Sequence, residues 1–111
     1  MTTMSSPART RHGSVVVVKV LNEAITAAMN GFGDRHGCRP MHWYLPEVNG
    51  FDRGDVMGFP GPAKDDRADG VRVAQAWACL LGLAERADEM AGYRSWLGTV
   101  GGSRIEIWCK A

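Results

Sequence analysis

The segment HGCRPMH brings His36, Cys38 and His42 together, with Asp34 just ahead of them. Imidazole and thiolate are zinc ligands, so this is the first place to look for a metal. The spacing matches no pair-plus-pair finger, and a fourth ligand would have to arrive from Cys79 or Cys109. The same residues offer a Cys38 nucleophile with His42 as its base, but no third group orients the pair and nothing forms an oxyanion hole. The plainer reading is a polar turn holding one small apolar thiol. The expectation is therefore no metal, with His36, Cys38 and His42 as weak candidates only, and no cofactor.

The remaining signatures are weaker. Asp65, Asp66 and Asp69 lack the glycine and glutamate positions of a calcium loop. Gly31 and Gly33 lack the third glycine and preceding strand of a dinucleotide fingerprint. Arg53-Gly54-Asp55 is an integrin-type tripeptide, but in a loop rich in Gly and Asp it arises by chance. No phosphate-binding loop is present. Nothing here builds a catalytic centre, so the chain reads as non-enzymatic.

The residue types that stand out instead are large aromatics: Trp43, Tyr44, Trp77, Trp96 and Trp108. Trp and Tyr beside Arg anchor protein interfaces. Aromatics near arginine also suit single-stranded nucleic acid, by stacking.

Composition narrows the choice. A chain of 111 residues implies one domain and is long enough for a core without disulfides. A net charge of +1 argues against a strongly electrostatic nucleic-acid or membrane-surface binder. Ten arginines against three lysines, with frequent Gly and Ala, point to a GC-rich genome such as that of an actinobacterium or its phage. Three cysteines, an odd number without C-x-x-C spacing, do not read as a disulfide framework. No apolar run approaches the ~20 residues of a membrane span, and the N-terminus lacks a signal-peptide pattern. A soluble, cytoplasmic protein is the expectation.

The elements that would position these residues follow from periodicity. Residues 1–13 are polar and small and read as a disordered tail, with Arg9, Arg11 and His12 as a short basic arm. Residues 15–30 read as one helix on Val18, Leu21, Ile25, Ala28 and Met29, closed by Gly31. Four consecutive valines leave open a short strand to Val20 followed by a helix from Asn22. Residues 41–45 read as an aromatic strand ended by Pro46. Residues 49–69 form a long loop rich in Gly, Pro and Asp, with Phe51, Val56, Met57 and Phe59 as spaced apolar anchors.

Residues 69–82 form the clearest amphipathic helix, with Asp69 as N-cap and Gly82 at C′. Val73, Trp77, Leu80, Leu81 and Ala84 share its apolar face. Residues 84–92 read as one more turn. Gly101-Gly102 predicts a two-residue hairpin, because both residues of that turn need positive φ. This register sets Val100 opposite Ser103, Gly98 opposite Ile105 and Trp96 opposite Ile107. Trp96, Ile105, Ile107 and Cys109 then face inward, and Leu97, Arg104, Glu106 and Trp108 face out.

The expected fold is α+β. Two helices pack on a three-stranded antiparallel sheet, in the order helix, strand, long loop, helix, hairpin, over a single domain at 14–111. The expected function is that of a small accessory protein binding a protein partner through Leu97, Arg104, Glu106, Trp108, Phe51, Arg53 and Phe59. A homodimer is a further expectation. The runner-up is a nucleic-acid-binding regulator using Arg9, Arg11, His12, Arg35 and Arg39, and the third a small metal protein or enzyme at His36, Cys38 and His42. The bland alternative for Trp108 is burial under the first helix or a second subunit.

Overall fold

The computed structural model describes residues 7–46, 54–61, 67–87 and 91–111. They form two helices and a five-stranded mixed sheet, so the class is α+β as expected and the sheet is larger than expected. The elements are α1 (Pro7–Asp34), β1 (His42–Tyr44), β2 (Val56–Phe59), α2 (Arg67–Leu81), β3 (Ala84–Arg86), β4 (Tyr93–Val100) and β5 (Ser103–Lys110). The strand order is β1-β2-β5-β4-β3. Every neighbouring pair is antiparallel except β2 with β5, which run parallel.

The hairpin turns at Gly101 and Gly102 in the expected register, with Val100 opposite Ser103 and Trp96 opposite Ile107. Two strands were not expected. Val56–Phe59 leaves the Gly- and Pro-rich segment to pair with both β1 and β5, and Ala84–Arg86 extends along β4 instead of adding a helical turn. Gly58 masks β2 in the sequence, yet the structure needs it there. A Cβ at Gly58 would stand only 2.6 Å from the Trp43 ring, so the bare backbone lets that ring lie flat across the sheet.

The valine run is helical. β-branching costs a helix only a few tenths of a kcal/mol per residue, and the helix is secured elsewhere by side chains that need helical spacing. α1 also begins at Pro7, inside the segment expected to be a tail, and residues 1–6 lie outside the described residues. It runs past Gly31 and closes at Gly37, whose φ is +79°. The Gly37 amide donates to Asp34 and the Cys38 amide to Gly33. Gly82 ends α2 in the same way, with Gly82 donating to Cys79 and Leu83 to Ala78.

α2 lies against one face of the sheet. Val73, Ala74, Trp77 and Ala78 meet Trp43, Trp96, Ile105, Ile107 and Cys109 in a single core. Trp77 is fully buried and sets its ring edge against Trp43 at 4.9 Å. Its indole N–H donates to the Arg39 carbonyl at 2.7 Å, so the polar tip of this core residue is satisfied. No helix among the described residues is long and apolar enough to cross a membrane.

α1 does something else. The outer edge of β1 carries backbone groups that no strand among the described residues pairs, and α1 covers them with polar side chains. The Asn22 side-chain oxygen accepts from the Leu45 amide at 2.8 Å. The Thr26 hydroxyl donates to the Trp43 carbonyl at 2.9 Å and accepts from its amide at 3.1 Å. Asn30 does the same for Met41 through its amide group, at 2.8 and 2.9 Å. Four helical residues rise about 6.0 Å and two strand residues about 6.8 Å, so positions 22, 26 and 30 step in time with 45, 43 and 41. The helix thus stands in for a sixth strand and protects the edge.

Candidate functional site

The sheet face opposite α2 carries an aromatic array. Strand alternation turns Trp43 towards the core and His42 and Tyr44 away from it. β2 presents Phe59 between β1 and β5 on that same face, and β5 presents Trp108. Phe59 and Trp108 stack with centroids 4.7 Å apart and planes 12° from parallel. His42 stacks on the other flank of Phe59 at 5.2 Å. Tyr44 meets Phe59 edge-on at 5.9 Å, and Tyr93 tilts against Trp108 at 6.0 Å. The Trp108 indole N–H donates to the Tyr44 hydroxyl at 2.9 Å. His42 is exposed, and Tyr44, Phe59, Tyr93 and Trp108 are half-buried.

Cations border this array. Lys110 pairs with Tyr93, Arg86 with Ser95 and Arg104 with Thr99 across the same face, and all three are exposed. The Arg104 amide also donates to the Asp55 carboxylate at 2.8 Å, and the Asp55 amide donates to the Arg104 carbonyl at 2.6 Å, which fixes the start of β5 against β2.

Of the residues expected at this surface, Phe59, Leu97, Arg104, Glu106 and Trp108 do share one face. Phe51 and Arg53 lie outside the described residues. Two details differ from expectation. Glu106 sits opposite Leu97 as the register requires, but it is only 4% exposed and so is no solvated rim charge. Trp108 is flanked by Phe59 and Tyr93 rather than by Leu97. The cause is β2: once Val56–Phe59 joins the sheet, its Met57 and Phe59 stand beside Glu106 and Trp108. His42, Tyr44 and Tyr93 were not singled out for this surface. Their signal was alternation in HWY and the continuation of the hairpin register to Tyr93 opposite Lys110.

The metal candidates are dispersed. His36 packs on Phe32 at 4.7 Å, Cys38 is buried in the core, and His42 lies on Phe59. Burial pushes the Cys38 thiol above its ordinary pKa, and Cys79 adds to the shift, which favours an inert thiol over a nucleophile. Among the described residues no group of three or more His, Cys, Asp or Glu could hold a metal ion.

A cleft of about 300 Å³ opens beside His42, between Arg39, Pro60, Gly61 and the first turn of α2. Arg39 donates through both terminal nitrogens to the Asp69 carboxylate, each at 2.7 Å. That hydrogen bonding, with the charges of Arg39 and Arg72, holds Asp69 below the usual carboxylate range. α2 begins at Arg67, so Asp69 lies within its first turn rather than capping it. An anion there complements the helix dipole. A carboxylate held so firmly ionised is a poor proton carrier near neutrality, and the pair reads as a clamp between the loop after α1 and the start of α2.

Comparison of the chain with protein-family models, with curated proteins and with solved structures finds no match.

Proposed function

We propose that this chain is a small non-enzymatic accessory protein that binds a protein partner through the aromatic face of its sheet. The carrying observation is the array His42, Phe59, Trp108 and Tyr93, in ring contact across four strands on the face away from α2. Stacking fixes the rings before a partner arrives, so little side-chain entropy is lost on binding. Half-buried Trp and Tyr with a polar tip each are the residue types that dominate binding energy at interfaces. The bordering Lys110, Arg86 and Arg104 favour a partner segment that is apolar with flanking acids.

The same cations give a second reading some support: aromatic rings rimmed by Arg and Lys also accept stacked bases of single-stranded nucleic acid. One experiment separates the two. The full chain and its Trp108→Ala and His42→Ala variants are immobilised and exposed to host lysate, with and without nuclease. The expected outcome is a protein retained by the wild type regardless of nuclease and lost with Trp108→Ala, by about 2 kcal/mol or more in affinity, while circular dichroism shows a folded variant. Exposed His42→Ala serves where Trp108→Ala perturbs folding. Retention abolished by nuclease would transfer the site to nucleic acid, and retention unchanged in both variants would remove it from this face.

A further inference from the structure

We propose that Arg86, Ser95 and Lys110 form an anion subsite on the aromatic face, and that its occupant is the carboxylate of an acidic residue in the partner segment. The proposal rests on the reading of this face as a protein-binding surface. One cross-strand row carries it. On the face away from α2, strand pairing lines up His42, Phe59, Trp108, Ser95 and Arg86, one residue from each of the five strands. The three rings stack in sequence. At Ser95 the row drops to a short hydroxymethyl, with Trp108 on one side and Arg86 on the other.

Ser95 is only 8% exposed, and its hydroxyl has no hydrogen-bond partner among the described residues. An unpaired buried donor destabilises the free protein, and an arriving acceptor removes that penalty. The neighbours say which acceptor. Directly opposed residues on one face of an antiparallel pair hold their Cβ atoms about 5 Å apart, and diagonal ones about 7–8 Å. Arg86 is directly opposite Ser95, and Lys110 is diagonal to it, next after Trp108 on the same face. Both cations are exposed, and neither has an ion-pair partner among the described residues. Glu106 stands at the other diagonal; it is 4% exposed and already engaged, and it leaves Arg86 and Lys110 unclaimed. Two uncompensated cations beside an unpaired hydroxyl match an oxyanion. The Arg86 fork and the Ser95 O–H donate to it, and the Lys110 ammonium adds its charge. The other walls, Trp108 and Tyr93, are aromatic hydrocarbon. A carboxylate on a methylene stem lays that stem against them, whereas a phosphate group has no hydrocarbon to bury.

The test is an NMR titration of the full, isotopically labelled chain. The probes are the blocked peptide acetyl-Leu-Glu-Leu-amide, its Gln counterpart and inorganic phosphate, each to about 10 mM, a range that reaches millimolar affinity. The expected result is saturable amide shifts at Ser95 and Arg86 with the Glu peptide, and binding about tenfold weaker or less with the Gln peptide. Arg86→Glu should abolish the shifts. Ser95→Ala should weaken the Glu peptide about fivefold yet melt no lower than the wild type, because a methyl replaces an unpaired hydroxyl. A merely structural serine would not separate the two readouts. The proposal is overturned by shifts that do not saturate, by equal binding of the Gln peptide, by tighter binding of phosphate, or by a Ser95→Ala variant that melts lower. The partner reading fails separately. Lysate retention lost in Trp108→Ala but unchanged in Ser95→Ala and Arg86→Glu keeps the surface and removes this subsite. Saturable Glu-peptide binding beside retention indifferent to Trp108→Ala keeps the anion subsite and removes the partner reading.

Discussion

The two helices solve different problems. α2 is apolar inward and polar outward: Val73, Ala74, Trp77 and Ala78 are buried in the core, while Arg72, Gln75 and Cys79 face solvent. α1 is largely apolar outward and divided inward: Ile25, Met29 and Phe32 pack against the core, while Asn22, Thr26 and Asn30 meet a strand edge. A face needs hydrocarbon laid over it, whereas an edge needs donors and acceptors at strand spacing. An amide or hydroxyl every fourth helical residue supplies them. Hydrophobic periodicity therefore reads α2 correctly and α1 only in part, since Ile25 and Met29 do pack against the core. It placed Leu21 and Ala28 on the buried stripe with Ile25 and Met29, and both are exposed.

The contrast can be attacked directly. The largest effect is expected at α2. Trp77→Ala should lower stability by about 3–5 kcal/mol, because a fully buried indole leaves a cavity and the Arg39 carbonyl loses its donor. A thermal melt followed by circular dichroism with an unchanged midpoint would mean that α2 does not carry the core.

A smaller loss belongs to α1. Asn30→Ala strips partners from the Met41 amide and carbonyl, and from the Trp43 indole N–H that reaches the same oxygen at 3.3 Å. About 1–3 kcal/mol should go, and β1 amides should exchange faster with solvent. Hydrogen exchange confined to the wild-type rate at Trp43 and Met41 would show that the edge is protected by something other than α1.

The smallest effect separates the two helices by pH. Asp69 has a depressed pKa in the fold, so its contribution is present above the ordinary carboxylate value of about 4 and is lost as pH falls through the depressed folded value. Asp69→Asn should lower the melting midpoint slightly at pH 7, and the gap should narrow as pH falls below about 4. The amides and hydroxyl of α1 do not titrate, so the Asn30→Ala penalty should not change with pH. A penalty for Asp69→Asn that persists unchanged at pH 3 would show that its carboxylate is held by geometry rather than by charge.

Much of the scaffold was legible locally. Asp69 to Gly82 reads as a helix because apolar spacing and the closing glycine are properties of neighbouring residues, although the helix starts two residues before the expected cap at Asp69. The β4–β5 register follows from Gly101-Gly102 because a two-residue turn sets every pairing behind it. That register also placed Leu97, Arg104, Glu106 and Trp108 on one face. What tertiary structure alone decided was the partner each element meets. Val56–Phe59 becomes a strand only because β1 and β5 flank it, and Gly58 is acceptable there only because Trp43 fills the space above it. That insertion sets Phe59 against Trp108 and gathers residues far apart in the chain into one aromatic face. Asn22, Thr26 and Asn30 likewise look like three ordinary polar positions until a strand edge lies beside them. Side-chain periodicity records which residues share a face, and that is a local matter. Whether the face meets hydrocarbon, a backbone edge or solvent depends on chain segments that periodicity does not see.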